Sequence, residues 1–273
     1  GIMNGRGGSG KSFAVLDLAV SVATGSNFLH DPDFKTGVPS KVLAVFGEET
    51  EETVHRRLNK VCRFKELSTE QKHLIDGNLS VYSAHGHNPG FFNAGLSESE
   101  FYTDLLNLIE YEKPSLVILD PLSRFYKQDE NNNTEATRFI EQLEKLKTHK
   151  PFNETRKTSV VSVHHSNKPG KNEQGSSRGA SAFIDGARWQ CVLNRDTDQP
   201  EYINMTFPKS NYTEYGSNDR LLKVMDGDLG GVLGSCHDGV KAKFEQEQSR
   251  IKQKKVRDMA EKKTKSITKT SIS

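Results

Sequence analysis

Apolar positions fall into two alternating patterns along this chain. Compact blocks such as Lys41–Phe46, Leu79–Ser83, Leu116–Leu119 and Thr158–Val163 are four to six residues long and rich in Val, Leu and Ile. Between them run longer stretches whose apolar residues recur every three to four positions. Phe139, Leu143 and Leu146 within Thr134–Lys147 share one face of a helix in this way. The segments Lys11–Thr24, Thr50–Phe64 and Glu98–Glu112 also predict helices, the first closed by Gly25 as a C′ residue. Strands alternating with helices imply an α/β fold, a mostly parallel twisted sheet with flanking helices. Beyond residue 188 the pattern changes. Trp189–Leu193, Tyr202–Phe207, Leu221–Met225 and Gly231–Ser235 follow one another with no helix between them, which predicts an antiparallel edge at the C-terminal side.

The 273 residues suffice for one large domain with a filled core, taken as 1–239, and a tail, 240–273. The total charge of +2 hides an asymmetry: the tail holds eleven Lys/Arg and four Asp/Glu, a net +7, which leaves −5 on 1–239. A polyanion bound by the acidic body must therefore be held by local basic loops. The tail reads as a basic helix fraying into disorder, with phosphate contact as the sharper alternative. Cys62, Cys191 and Cys236 form neither a metal spacing nor a paired set, and no run of 18 apolar residues spans a membrane. With no basic-then-apolar leader at the start, a reducing cytoplasm is the expected location.

Gly5-Arg-Gly-Gly-Ser-Gly-Lys-Ser12 is the clearest chemical signal, a complete G-x-x-x-x-G-K-[ST] phosphate loop. Gly5, Gly7, Gly8, Ser9 and Gly10 would let successive backbone amides curl around phosphate oxygens at a helix N-terminus. Lys11 would reach the β- and γ-phosphates of ATP, and the Ser12 hydroxyl would ligate Mg²⁺. Only Gly1–Asn4 precede the loop, so the strand that should feed it is expected to be missing from this sequence, as is any module upstream.

Leu116-Val-Ile-Leu-Asp120 has the form of a buried strand ending in a metal-facing carboxylate. Glu48 and Glu49 follow the strand Lys41–Phe46, where one carboxylate could polarise an attacking water; Glu48 is preferred, with helix-dipole stabilisation as the plain alternative. His164 and His165 end the strand Thr158–Val163 and lead into the polar stretch Ser166–Ser177, read as a mobile loop. Lys168, Lys171 and Arg178 in and beside that loop suit contacts with a nucleic-acid backbone, and a solvated surface loop accounts for them equally well.

These motifs, in order, carry a family resemblance. GRGGSGKS (5–12), GEET with HRRL (47–50 and 55–58), LDPLSRF (119–125) and VHHSNKPG (163–170) continue into SRGASAFIDGARWQ (177–190) and FPKSNY (207–212). The set resembles the RepA-type hexameric replicative DNA helicases and the wider group of RecA-like AAA-type P-loop ATPases. That resemblance implies a RecA-like core, six-membered rings of the same chain, ATP with Mg²⁺ between subunits, movement on single-stranded DNA, and primase or initiator proteins as further partners. It makes Asp120 the metal-side acid, Glu48 the catalytic carboxylate and His165 the phosphate sensor. It also asks for a cation in trans, with Arg188 first and Lys209 second. Two other functions stand beside it: a RecA-like, DNA-stimulated ATPase that loads, repairs or recombines DNA without unwinding, and a small-molecule P-loop kinase.

Overall fold

The computed structural model describes residues 1–94, 96–127, 132–148, 158–165, 183–214 and 218–270. Among these residues nine strands form one sheet in the order β3-β2-β4-β5-β1-β6-β7-β8-β9. They are β1 (Ile2–Gly5), β2 (Val42–Phe46), β3 (Leu79–Ser83), β4 (Leu116–Asp120), β5 (Ser159–His165), β6 (Trp189–Arg195), β7 (Tyr202–Ser210), β8 (Arg220–Val224) and β9 (Leu233–Ser235). From β3 to β6 every neighbour is parallel, and from β6 to β9 every neighbour is antiparallel. The fold is therefore mixed α/β with a mostly parallel sheet and flanking helices, the core of a P-loop NTPase.

Alternation along the strands explains the layers. In β2, Val42, Ala44 and Phe46 face one core while Leu43 and Val45 face the other. β4 divides likewise, Leu116 and Ile118 against Val117 and Leu119. The first face is covered by α1 (Lys11–Thr24) and α2 (Glu51–Phe64), with α3 (Thr69–Asn78) beside them. The second is covered by α4 (Glu100–Glu112), the short α5 (Leu122–Phe125) and α6 (Asn133–Thr148). Strands buried on both faces read as continuous apolar blocks. Each fully buried Leu, Ile or Phe side chain in these layers contributes roughly 1.5–3 kcal/mol.

Local chemistry sets the helix starts. Thr50, Ser68 and Ser99 each accept a hydrogen bond from the first turn of α2, α3 and α4. At Ser68 the cap is reciprocal, because Gln71 reaches back to the Ser68 amide. This helix, α3, has no buried residue, and its apolar periodicity was too weak to predict it.

Two expectations need correction, and the tail takes a definite form. The strand leading into the glycine loop is present: Ile2–Gly5 pairs with β5 on one side and β6 on the other. Four residues suffice because both edges are hydrogen-bonded and Ile2, Met3 and Asn4 are buried. The basic tail, expected to begin as a helix, is helical from Asp238 to Thr270 (α7). Phe244 packs on Tyr202 with ring centroids 5.0 Å apart, and Lys255 binds Asp198 at 2.7 Å, which fixes the first half of α7 on the β6–β7 turn. Finally, β5, β6 and β7 run past their expected ends, to His165, Arg195 and Ser210. Among the described residues no helix is long and apolar enough to cross a membrane.

Candidate functional site

A cleft of ≈ 310 Å³ opens at the C-terminal ends of the parallel strands. That end is where an open α/β sheet binds ligands, because each strand there hands its chain to a loop while the helices begin. The glycine loop, Glu48, Glu49, Asp120 and His165 all line it, although they come from four separate strands.

The loop geometry follows from its glycines. Gly8 (φ 74°) and Gly10 (φ 87°) occupy the left-handed region, which an L side chain enters only at a cost. A Cβ on Gly10 would also come within 3.0 Å of Leu233, whereas beside Gly7 and Gly8 the space is open. Gly10 stands at the N-cap of α1, so no side chain caps this helix, unlike α2, α3 and α4, and no acid lies in its first turn. Its free amides and dipole are left for an external anion. Ser9 Oγ is buried without a hydrogen-bond partner among the described residues.

Lys11 is buried, and its Nζ donates to the carbonyls of Gly5 at 2.7 Å and Arg6 at 2.8 Å. Burial lowers its pKa to about 8, against the pull of the Asp120 charge. An anion in the cleft would restore the ammonium, so the lysine is held ready for one.

Asp120 is the last residue of β4, and burial raises its carboxyl to about 6. A hydrogen bond from Ser12, the Lys11 charge and Arg57 oppose that rise, while Glu49 adds to it. Asp120 Oδ2 is buried with no partner among the described residues. A buried carboxylate oxygen lacking a partner beside a serine hydroxyl is a hard-oxygen donor set, which fits Mg²⁺.

Glu48 and Glu49 leave β2 in different directions. Glu48 is exposed and accepts from Arg124 Nε at 2.9 Å, while its carbonyl meets His85 Nδ1 at 2.9 Å. Glu49 is half-buried and accepts from Arg57 at 2.6 Å, and its carbonyl accepts from Ser83 Oγ at 2.6 Å. The last residue of β3 and the turn that follows it thus fix the backbone of both acids.

The two histidines separate as a strand end should part them. His164 is buried, with its ring 6.3 Å from that of Phe183. His165 lines the cleft, its pKa lowered by burial and then by the Lys11 charge, with Glu48 opposing. Lys168, Lys171 and Arg178, and the loop reading of 166–177, lie outside the described residues.

Arg188 and Lys209 stand at the other end of the sheet. Parallel pairing sets Ile2 beside Gln190 and Gly5 beside Leu193, so Arg188 precedes the paired segment. Five residues separate it from the level of Gly5, roughly 17 Å along the strand. Arg188 is exposed there. Lys209, opposite Gln190, is engaged differently: Nζ donates to the carbonyls of Ile184 at 2.8 Å and Asp185 at 2.9 Å.

Three arginines of the cleft region carried no assigned role in the sequence. Arg57 lies within HRRL and Arg124 within LDPLSRF, yet only the fold pairs them with Glu49 and Glu48. Arg195 lines the cleft and touches Gly8, a contact across 187 residues that no local pattern announces.

An uncapped glycine-loop helix, a buried lysine and a strand-end aspartate on a mostly parallel sheet define a nucleotide-binding P-loop ATPase domain. Residues 1–171, more than half of the chain, match the family described as an AAA domain, and the chain belongs to that family.

Proposed function

We propose that this chain is the motor of a RepA-type, ring-forming DNA helicase, which hydrolyses ATP at subunit interfaces and moves on single-stranded DNA in replication. The observation that carries the reading is the position of His165. Its ring borders the cleft beside Lys11, and the chain continues directly into the sequence that bears Lys168, Lys171 and Arg178. A residue there can register the terminal phosphate and pass its presence to a basic segment suited to DNA phosphates.

Within this reading, the amides of Gly7–Ser12 and the Lys11 ammonium hold the triphosphate. Ser12 and Asp120 would hold Mg²⁺, which would supply positive charge to offset the negative charge developing on the phosphates. Glu48 orients the attacking water and takes up its proton. Arg188 lies too far along β6 to serve its own cleft, which supports a role at the neighbouring subunit's phosphates, and Lys209 is the second candidate, already holding two carbonyls.

Three measurements on the purified protein test the proposal. ATP turnover should rise strongly with single-stranded DNA, an annealed strand should be displaced, and particle mass with ATP should match a ring. Stimulation without displacement would replace it with a DNA-dependent ATPase that does not unwind. Turnover indifferent to DNA, with phosphate passed to a metabolite, would replace it with a kinase.

A further inference from the structure

Arg195 is the last residue of β6, the strand hydrogen-bonded to β1 on the side away from β5. Gly5 ends β1 opposite Leu193, so β6 overruns β1 by two residues and brings Arg195 level with the glycine loop. There its Nε donates to the Gly8 carbonyl at 3.0 Å, and Nη1 donates to the Pro200 carbonyl. Its side chain lines the same cleft as Lys11 and Ser12.

The contact with Gly8 has a specific consequence. A loop that turns its amides toward an anion must turn its carbonyls elsewhere, because a carbonyl oxygen facing phosphate repels it. Gly8 takes the left-handed conformation (φ 74°), and no Cβ contact holds it, since the space beside it is open. Arg195 engages that carbonyl from outside the loop. The guanidinium fork reaches Gly8 and Pro200 at once and leaves Nη2 without a partner among the described residues. A lysine ammonium on a flexible stem lacks this planar geometry.

The base of the arginine is braced. Asp196 Oδ1 accepts from the amides of Asp198 at 2.9 Å and Gln199 at 2.8 Å, which stiffens the turn that presents Pro200. Lys255 of α7 grips Asp198 at 2.7 Å from outside. The turn is therefore a fixed platform rather than a loose connection.

We propose that Arg195 is a nucleotide-binding residue acting in its own subunit, which sets the curvature of the phosphate loop through Gly8 and offers Nη2 to the phosphates. The assignment rests on nucleotide occupying the cleft and is independent of DNA or ring formation.

The test uses the full chain without DNA and measures binding of Mg·ADP by calorimetry, with backbone amide exchange of the nucleotide-free protein alongside. Arg195→Ala should weaken ADP binding roughly tenfold, the size expected for losing one charge-assisted hydrogen bond. Arg195→Lys should fall between the two, keeping the charge and losing the fork. Amides of residues 6–10 should exchange faster in both variants while the melting temperature stays within about 2 °C of the parent. An unchanged ADP affinity in Arg195→Ala would overturn the proposal. So would a loss of affinity matched by a general fall in melting temperature, since that would be a merely structural effect. Parent protein that bound no ADP would sink the reading of the cleft as a nucleotide site, and this assignment with it.

Discussion

Glu48 and Arg124 form an ion pair of 2.9 Å between the end of β2 and the short helix α5. The adjacent acid, Glu49, pairs instead with Arg57 of α2 at 2.6 Å. Two consecutive carboxylates are thereby held by two arginines from different elements. Their reach into the cleft differs as well: the Glu49 charge acts on Asp120, and the Glu48 charge acts on His165.

Glu48→Gln and Glu49→Gln should therefore behave differently. With Glu48 as the base, Glu48→Gln should lower turnover by about 10²-fold or more and leave nucleotide affinity nearly unchanged. Glu49→Gln weakens the hold on Arg57, which also stands 5.5 Å from the Phe13 ring, and should chiefly raise KM. Steady-state ATPase assays and direct binding measurements separate the two. Turnover lost only in Glu49→Gln would move the base to Glu49.

The lysine of the glycine loop gives a pH prediction. The Lys11 pKa is lowered to about 8 in the nucleotide-free protein, so the ammonium is already losing its proton above that pH. Phosphate favours the charged form, hence nucleotide binding above pH 8 must take up a proton. Affinity for ADP should fall as pH rises from about 8 toward the ordinary lysine value of 10.5, and calorimetry in buffers of different ionisation enthalpy should detect the uptake. Lys11→Ala should remove this pH dependence together with turnover.

Asp120 has the opposite sign. Its carboxyl is raised from 3.8 to about 6, so the folded protein favours the protonated form and loses stability as pH rises between those values. The ionised group then costs up to ~3 kcal/mol at neutral pH, and metal binding offsets that cost. Asp120→Asn should raise the melting temperature of nucleotide-free protein at pH 7.5 and abolish the further rise that Mg²⁺ with ADP gives the parent. A lower melting temperature for Asp120→Asn without ligand would contradict the buried, destabilising carboxylate.

Residue patterns made the core legible because its signals are local. The loop Gly5–Ser12, the apolar block before Asp120 and the stop of α1 at Gly25 are each written in a few adjacent positions, and the structure forms them there. Strand ends were less legible. β6 continues through Asn194 and Arg195, two residues past the end of β1, because β7 pairs with both, and that pairing is set by Asn204 and Ile203 of β7 rather than by local sequence. The first strand was misjudged for a related reason: Ile2–Gly5 is too short to declare itself, and only its two neighbours make it a central strand. Arg57, Arg124 and Arg195 needed tertiary contacts to acquire meaning.

A buried pair near the loop helix invites a stability test. Lys65 Nζ lies 3.1 Å from Asp17 Oδ1 with both side chains 2 % exposed, and Lys65 also donates to the Asn27 carbonyl at 2.7 Å. This joins the C-terminal end of α2 to the middle of α1. Burial raises the Asp17 pKa even with the lysine beside it. Lys65→Met should cost about 3–5 kcal/mol by leaving an uncompensated acid, and adding Asp17→Leu should recover much of the loss. Chemical denaturation of the two variants decides the matter; an undiminished midpoint in Lys65→Met would show that the acid is already neutral.

Arg188 offers the sharpest check on the proposed ring. It is exposed at the start of β6, roughly 17 Å along the strand from the level of its own glycine loop. A cation so placed can complete a site only on a neighbouring subunit, through a head-to-tail interface. Arg188→Ala should lower turnover about 10³-fold while its own loop still binds nucleotide. Lys11→Ala subunits lose the loop and keep the arginine. In an equal random mixture, an Arg188→Ala loop meets a Lys11→Ala neighbour at roughly a quarter of interfaces, and each such interface is complete. Turnover should therefore recover toward that fraction when the two inactive proteins are mixed and allowed to exchange subunits. A pair of residues that served one subunit's site together could never be rescued this way, because no subunit in the mixture would hold both. Mixing that restores nothing, in particles shown by mass to contain both variants, would remove Arg188 from the trans role.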